Sequence, residues 1–408
     1  AKTGLDAPLL KRLDVEGSKF DGMLSKVDDV IAIADPVGQV SLATELDDGL
    51  TLERIACPIG VIAIIFESRP EAAVQISALA LKSANAVILK GGKEAINTNA
   101  ALVAAIQAGL GSLKGDAPPP RSVQLVATRE EVSTLLGMHH KIDLIVPRGS
   151  NALVAHIMAN TRIPVMGHAD GICAVYLDAA ADETKAIAVA VDSKCDYPVA
   201  CNAAESLLVH EALLSSTWPA VATALLDKGV DLRCDPRSAK ALPAGLAFAR
   251  ASQLSAACEA DFRTEFGDLI LAVKTVASVQ EAVAHINSHS SHHTDCIVTE
   301  EAAAAAHFSS YIDSAGVYLN ASTRFADGQR YGFGAEVGVS TNRIHSRGPM
   351  GVEGLLIYKY VLRGSGHIAA DYSAGRRSFT HKRLSLTPEA RSRWAEPKLL
   401  LALCAAAA

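Results

Sequence analysis

The stretch Lys194-Cys-Asp-Tyr-Pro-Val-Ala-Cys-Asn-Ala-Ala-Glu205 sets Cys201 in a proline-containing turn. A helix is expected on one side, over 182–194, and the apolar run Ser206–His210 reads as a strand on the other. Cysteine attacks as the thiolate, so a catalytic cysteine needs partial exposure and neighbours that favour its anion, such as freed backbone N–H groups or a nearby cation. A turn between two elements meets both needs. The competing reading is a small buried residue, which is what most unpaired cysteines are. Eight cysteines, at 57, 173, 195, 201, 234, 258, 296 and 404, include no Cys-x-x-Cys pair. They read as reduced thiols in a cytoplasm-like compartment, with an organelle as the lesser alternative, and not as a disulfide framework.

A second group of polar residues recurs wherever an apolar strand-like run ends: Glu67-Ser-Arg-Pro70, Lys90-Gly-Gly-Lys-Glu94 and Pro147-Arg-Gly-Ser-Asn151. The elements that would position them alternate. Strands are expected at Val61–Phe66, Ala86–Lys90, Val123–Ala127 and Leu144–Pro147, and helices at Pro70–Ser83, Glu94–Ala108, Glu130–Leu136 and Asn151–Met158. Such alternation predicts a parallel, doubly wound sheet that takes ligands beyond the carboxyl ends of its strands. The usual Gly-x-Gly-x-x-Gly fingerprint is absent. A ribose-binding acid would repel a 2′-phosphate, whereas the ammonium of Lys90 attracts one, so NADP(H) is favoured over NAD(H). Gly149 and Ser150 precede a helix whose free N–H groups could receive a pyrophosphate.

Around this core, residues 1–35 read as helix, and a β-hairpin is expected over about 39–57, turning at Asp47-Asp-Gly49. Strands Pro164–Gly167 and Ala174–Leu177 lead out of the first region. A second α/β region follows, with strands near 206–210, 269–274, 295–298 and 317–319 and helices at 211–228, 279–287 and 300–309. The domains are accordingly expected at 1–171 for cofactor binding, 172–355 for catalysis and 356–408 for a C-terminal arm and tail. The net charge of −6, with interspersed signs, excludes a nucleic-acid surface. The longest apolar run, Ile55–Phe66, is broken by Pro58 and Gly60 and is too short to span a membrane.

The blocks Arg54–Pro70, Leu81–Ala95, Val199-Ala-Cys-Asn-Ala203, Val317–Phe325 and Gly334-Ala-Glu-Val-Gly-Val-Ser-Thr341 resemble the γ-glutamyl phosphate reductases, members of the aldehyde dehydrogenase superfamily. The later Phe379-Thr-His-Lys-Arg-Leu384 resembles the tail of bifunctional synthases whose second half is such a reductase. The chain starts Ala-Lys-Thr-Gly and contains no kinase half, so a truncated or excised reductase domain is expected, with a glutamate 5-kinase domain as an absent partner.

The resemblance implies an aldehyde dehydrogenase-like α/β fold: a Rossmann-type cofactor domain, an α/β catalytic domain and a β-hairpin arm for oligomerisation. It implies NADPH-dependent reduction of γ-glutamyl phosphate, through a cysteinyl thioester, in a homo-oligomer. Cys201 matches the nucleophile, its N–H and the neighbouring Asn202 belong to the oxyanion region, and Ser68 stands where related enzymes carry an oxyanion-binding Asn. Lys90, Gly149, Ser150 and Glu336 match cofactor positions, Glu336 holding the nicotinamide ribose. Arg69, His168, Asn320, Ser322, Thr323 and Arg324 line the implied substrate pocket. Arg324 is the candidate for the substrate's carboxylate or phosphate, because its planar fork binds either in bidentate fashion. His168 stands where hydrolytic relatives carry the Glu that activates water.

The histidines at 285, 289, 292 and 293 have no standard zinc spacing, and no metal is expected. His293 shares a Gly/Ser-His-x-Asp context that occurs in the family, facing the pocket. Two other functions are compatible with the sequence: an idle assembly module, and an NADP-dependent dehydrogenase of another short acyl substrate.

Overall fold

The structure, a computed structural model, describes residues 13, 15–67, 70–115, 117–168 and 170–386. They form two compact units. One takes the described chain up to Met166 together with Gly332–Gly338 and the chain from Met350; the other takes Gly167–Tyr331 and Val339–Pro349.

In the first unit α1 (Ser18–Ala32) occupies part of the helical opening expected over 1–35, of which 1–12 and 14 lie outside the described residues. The expected hairpin is β1 (Val40–Asp47) and β2 (Leu50–Pro58). Its turn needs Gly49, which sits at φ +70°, in the left-handed region. Strand β3 (Val61–Phe66) is buried at every residue. That burial accounts for its unbroken apolar sequence, since both faces of a parallel sheet are covered. It is followed by α2 (Pro70–Lys82), β4 (Ala86–Lys90), α3 (Ile96–Ser112), β5 (Val123–Val126), α4 (Arg129–Leu136), β6 (Leu144–Arg148) and α5 (Asn151–Asn160). Sheet order is β5-β4-β3-β6, all parallel. The chain moves outward from β3 to β5 and then returns to the other side of β3. The switch point therefore lies between β3 and β6, where a doubly wound sheet opens a crevice.

The strand expected at Pro164–Gly167 is reduced to one bridge, Ile145 with Val165. Pro164 has no N–H to extend a ladder.

The second unit is built on β7 (Cys173–Leu177), α6 (Glu183–Cys195), β8 (Ala204–His210), α7 (Thr217–Asp227), β9 (Asp231–Cys234), α8 (Pro236–Lys240), α9 (Ala244–Ala249), β10 (Leu254–Ala256), β11 (Ile270–Val276), α10 (Val279–His289), β12 (Thr294–Val298), α11 (Ala302–Tyr311) and β13 (Gly316–Leu319). Sheet order is β10-β9-β11-β8-β7-β12-β13. The helix expected over 211–228 is interrupted. The His210 ring accepts from the Ala212 N–H and caps a separate short turn, Glu211–Leu213. Helix α7 begins only at Thr217, which leaves Pro219 in the first turn, where a missing N–H costs nothing. Strands β9 and β10 have no counterpart in the sequence reading, because four and three residues are too few to show a period.

Two short strands, β14 (Gly338–Ser340) and β15 (Gly348–Met350), pair with each other. Strand β16 (Leu356–Arg363) then runs antiparallel to β2, with Leu356 opposite Pro58 and Arg363 opposite Thr51. After α12 (Ala369–Ser373), β17 (Lys382–Arg383) pairs with β1. The resulting sheet, β16-β2-β1-β17, is the arm. Asp47 ties its end: the carboxylate accepts from Tyr372 Oη at 3.0 Å and Arg377 Nε at 2.7 Å.

Candidate active site

Strands β8, β7 and β12 are neighbours, and each begins just after a residue that can do chemistry: Cys201, His168 and His293 respectively. Their loops therefore meet at the amino ends of the three strands. One nitrogen of each ring and the Cys201 sulfur all lie within 4.8 Å of one another. The two rings meet edge to face, with centroids 5.0 Å apart. His168 Nδ1 donates to the Val339 carbonyl at 2.9 Å, and His293 Nδ1 pairs with Thr294 Oγ1 at 3.0 Å. Each outer nitrogen is thus engaged, which leaves Nε2 for the sulfur. His293 is fully buried, and its Nε2 has no hydrogen-bond partner of ordinary geometry.

Two effects oppose each other at the thiol. Burial would push Cys201 up. The charge of His293, the N–H groups that both rings turn toward the sulfur and the charge of His168 outweigh it, holding the thiol well below its ordinary value. Burial would likewise pull His168 down. The Cys201 thiolate and the Val339 carbonyl outweigh that and hold the ring at about 9. These contacts favour a thiolate–imidazolium pair of Cys201 and His168, and Cys201 is half-buried rather than sealed.

The turn that carries Cys201 is held from several sides. Ala200 and Ala203 donate to Tyr197 and Ala200 carbonyls. Cys173 Sγ donates to the Cys201 carbonyl at 3.4 Å. Gly171 passes so close that an added Cβ would collide with the Cys201 backbone and lie 2.7 Å from its Cβ. Among the described residues neither the Cys201 nor the Asn202 N–H has a backbone partner, so both are free to meet an oxyanion.

At the two ends of this turn stand Lys194, in the last turn of α6, and Glu205, early in β8. They form an ion pair at 2.6 Å with both side chains at 0 % exposure. Burial pushes Lys194 down and Glu205 up to about 7, each partly offset by its partner's charge. Removing one member strands the other in a dry site. Lys194→Met is therefore expected to cost about 3–5 kcal/mol of folding free energy. A Lys194→Met, Glu205→Leu double variant should recover most of it in urea melts. A single-variant loss below about 1 kcal/mol would show that the pair behaves like a solvated one.

Further along, the short turn Thr323–Phe325 packs against the end of α6. The Thr323 N–H donates to Ser193 Oγ at 3.1 Å, and Ser193 Oγ donates to Ser322 Oγ at 3.3 Å. Asn202 Nδ2 donates to the carbonyls of Arg324 and Ala326, which fastens this turn to the residue beside the nucleophile. Asn202 Oδ1 and Thr323 Oγ1 are buried without a partner among the described residues. Arg324 Nε donates to Asp196 at 3.1 Å, and Arg330 reaches the same carboxylate at 3.3 Å. Both guanidinium groups hold the Asp196 carboxyl below its ordinary value, Arg330 contributing most.

In the first unit, the residues at the carboxyl ends of the sheet gather around the switch point. Arg148 closes β6, donates to the Glu336 carbonyl at 3.3 Å and lies 3.6 Å from its carboxylate. The Ser150 N–H, at the start of α5, donates to the Glu67 carboxylate at 3.0 Å. A pyrophosphate entering there has to displace that carboxylate. Next door Lys90 ends β4. Gly91, which follows it, leaves no room for a side chain, since a Cβ there would strike the Asn99 amide. Asn99 is itself buried, and its Oδ1 lacks a partner among the described residues. An orphaned acceptor against the side-chain-free backbone that follows Lys90 fits the adenosine end of a phosphorylated dinucleotide.

The aldehyde dehydrogenase family profile matches residues 22–239. A Synechococcus γ-glutamyl phosphate reductase is 52% identical over 387 residues, covering 95% of this chain and 86% of the relative. The chain belongs to the γ-glutamyl phosphate reductases of the aldehyde dehydrogenase family. A probable γ-glutamyl phosphate reductase of Schizosaccharomyces pombe is 50% identical over 94% of this chain and 84% of its own length. Among solved structures, the Thermotoga maritima γ-glutamyl phosphate reductase is similar with a TM-score of 0.84 at 38% identity, over 90% of this chain and 86% of that one. The aldehyde dehydrogenase-like α/β fold expected from the sequence is the one observed.

Within this reductase fold, Cys201, Asn202, His168, Ser322, Thr323 and Arg324 fall in one unit and are linked by the contacts above. Lys90, Gly149, Ser150 and Glu336 fall in the other. Ser68 and Arg69 lie outside the described residues. Asn320 does not join the group around the thiol. At φ +53° it turns the chain after β13, and its side-chain amide bonds both the Thr299 N–H and carbonyl at the carboxyl end of β12, the opposite end from Cys201. His293, expected to face the pocket, joins the thiol, and Asp196 is the addition the structure makes. For His293 the signal was its Gly/Ser-His-x-Asp context; for Asp196 there was none. No helix among the described residues is long and apolar enough to cross a membrane.

Proposed function

We propose that this chain reduces γ-glutamyl phosphate to glutamate 5-semialdehyde and phosphate with NADPH, through a thioester on Cys201. The observation that carries the reading is the half-buried thiolate held between two imidazoles, with no carboxylate of the described residues in the cluster. Cys201 Sγ attacks the acyl carbon while the Cys201 and Asn202 N–H groups receive the oxygen's developing charge. Once the sulfur is acylated its negative charge is gone, and burial then favours neutral His168. The ring gives its proton to the departing phosphate. When bound, NADPH supplies the hydride that reduces the thioester carbon. The thiohemiacetal oxyanion collapses, the aldehyde leaves, Cys201 returns as thiolate, and His168 takes a proton back from solvent. One proton is consumed per turnover.

Arg324, with Arg330 beside it, is the group we assign to the substrate's α-carboxylate or phosphate, and Ser322 and Thr323 shape that wall. Lys90 is assigned to the 2′-phosphate, Glu336 to the nicotinamide ribose, and Gly149 and Ser150 to the pyrophosphate. Losing one charged hydrogen bond is worth about 1.5–3 kcal/mol. Lys90→Ala is therefore expected to raise KM for NADPH at least about 10-fold while changing KM for NADH little; equal changes for both would remove the 2′-phosphate from the argument.

The chemistry demands an acyl phosphate made from ATP and a carboxylate, consistent with a glutamate 5-kinase as supplier in proline synthesis. A reducing, cytoplasm-like compartment suits the free thiols. Ile357, Tyr358, Tyr360 and Leu362 stand exposed along edge strand β16, and we assign this edge to a homo-oligomer contact. Run in reverse without phosphate, glutamate 5-semialdehyde and NADP⁺ should yield one NADPH per active site and a γ-glutamyl group on the peptide containing Cys201. Neither a burst nor an adduct would reject the thioester route.

A further inference from the structure

We propose that Cys201 Sγ and the Nε2 atoms of His168 and His293 also form a three-ligand site for a soft divalent cation, zinc foremost, whose binding silences the nucleophile. Zinc takes thiolate and imidazole in tetrahedral sets, and a three-ligand set with an open fourth position is its usual reactive arrangement. Donors of this kind select it over calcium or magnesium, which want oxygen.

Three features of the site match that demand. The donor atoms lie within 4.8 Å of one another. In a tetrahedral zinc site they stand about 3.3–3.7 Å apart, so side-chain rotations of about an ångström close the set on the ion. Metal-binding histidines commonly commit their other nitrogen to a carbonyl or hydroxyl, which fixes the ring with the ligating nitrogen inward. Here Val339 O holds His168 at 2.9 Å and Thr294 Oγ1 pairs with His293 at 3.0 Å. Finally, His293 Nε2 is buried and makes no hydrogen bond of ordinary geometry, so a cation bound beside the sulfur would give it a partner. Of the four histidines close in sequence, at 285, 289, 292 and 293, for which no metal is expected from spacing, this site takes only His293. His289 is paired with Glu259, and His292 Nδ1 contacts the Asp313 carbonyl.

Binding involves no redox change. Any proton on an inward ring nitrogen passes to solvent, Cys201 binds as the thiolate, and its lone pair is directed at the metal. The enzyme would then be reversibly inhibited by free zinc and its thiol shielded from alkylation.

The test uses the full chain with zinc or cobalt(II) alone. One equivalent of zinc should slow iodoacetamide labelling of the Cys201 peptide at least tenfold, EDTA should restore the rate, and labelling of exposed Cys258 should not change. Cobalt(II) should produce a thiolate-to-cobalt charge-transfer band and the visible bands of a four-coordinate ion. The charge-transfer band should vanish in Cys201→Ser, and cobalt affinity should fall at least tenfold in His293→Ala. Unaltered Cys201 labelling under equimolar zinc overturns the proposal, and so does a charge-transfer band that persists in Cys201→Ser. The labelling arm uses the unmodified protein, so a variant that fails to fold does not blunt it.

Discussion

Cys201→Ala is expected to lower NADPH-dependent turnover by about four to six orders of magnitude, because losing a nucleophile removes the covalent route and not merely part of its stabilisation. The protein should still bind NADPH, since the cofactor assignments lie on other residues. Cys201→Ser is expected to fare little better: a hydroxyl beside the same imidazoles stays protonated where a thiol does not. Steady-state rates and cofactor titrations of both variants check this. Residual activity within about 100-fold of the parent would place the chemistry elsewhere.

The second large effect concerns the histidines. His168→Ala and His293→Ala should each reduce kcat by about 10²–10⁴-fold, the range for a lost proton-transfer group. A purely structural role would not predict what should accompany it. In the parent protein the thiol lies well below its ordinary value, so iodoacetamide labelling should be level through neutral pH. In either variant the labelling midpoint should move up toward the ordinary thiol value of about 8.5. The alkaline side follows from His168. Its folded value is raised to about 9, so its pairing with Cys201 contributes fully below the ordinary histidine value and is lost as pH rises through about 9. On the acid side, protonation of the sulfur ends the pair. Activity should therefore decline above about pH 9 in the parent, and His168→Ala should lack that limb. A labelling profile identical in all three proteins would contradict the ion pair.

Much of this was legible in the chain. The β3–α5 alternation appears as apolar runs of strand length separated by helical spacing, because each strand is covered on both faces and each helix on one. Cys201 announced itself by a turn between two such elements. What the sequence withheld is strand order. His168, Cys201 and His293 are spread over more than a hundred residues, and only the arrangement β8-β7-β12 makes their loops adjacent. A reading by position treats His168 as a substitute for a water-activating Glu, whereas its contacts make it a partner of the thiol. The opposite error arises at Asn320. A polar residue after a strand looks like pocket lining, but a left-handed turn and two backbone hydrogen bonds use its amide within the sheet. Strand β16 escaped notice because it alternates little: most of its residues are exposed, so no inward face marks it. The Lys194–Glu205 pair was equally hidden, since only a folded turn brings the two ends together in a dry site.

On the proposed mechanism the acyl group on Cys201 is exchanged with phosphate and not with water. The most direct measurement is the rate of NADP⁺ reduction by glutamate 5-semialdehyde at alkaline pH as inorganic phosphate is varied. After a first turnover, steady-state reduction should be negligible without phosphate and should rise to saturation with it. Steady reduction at the same rate with and without phosphate would mean that water cleaves the thioester, and would contradict the assignment.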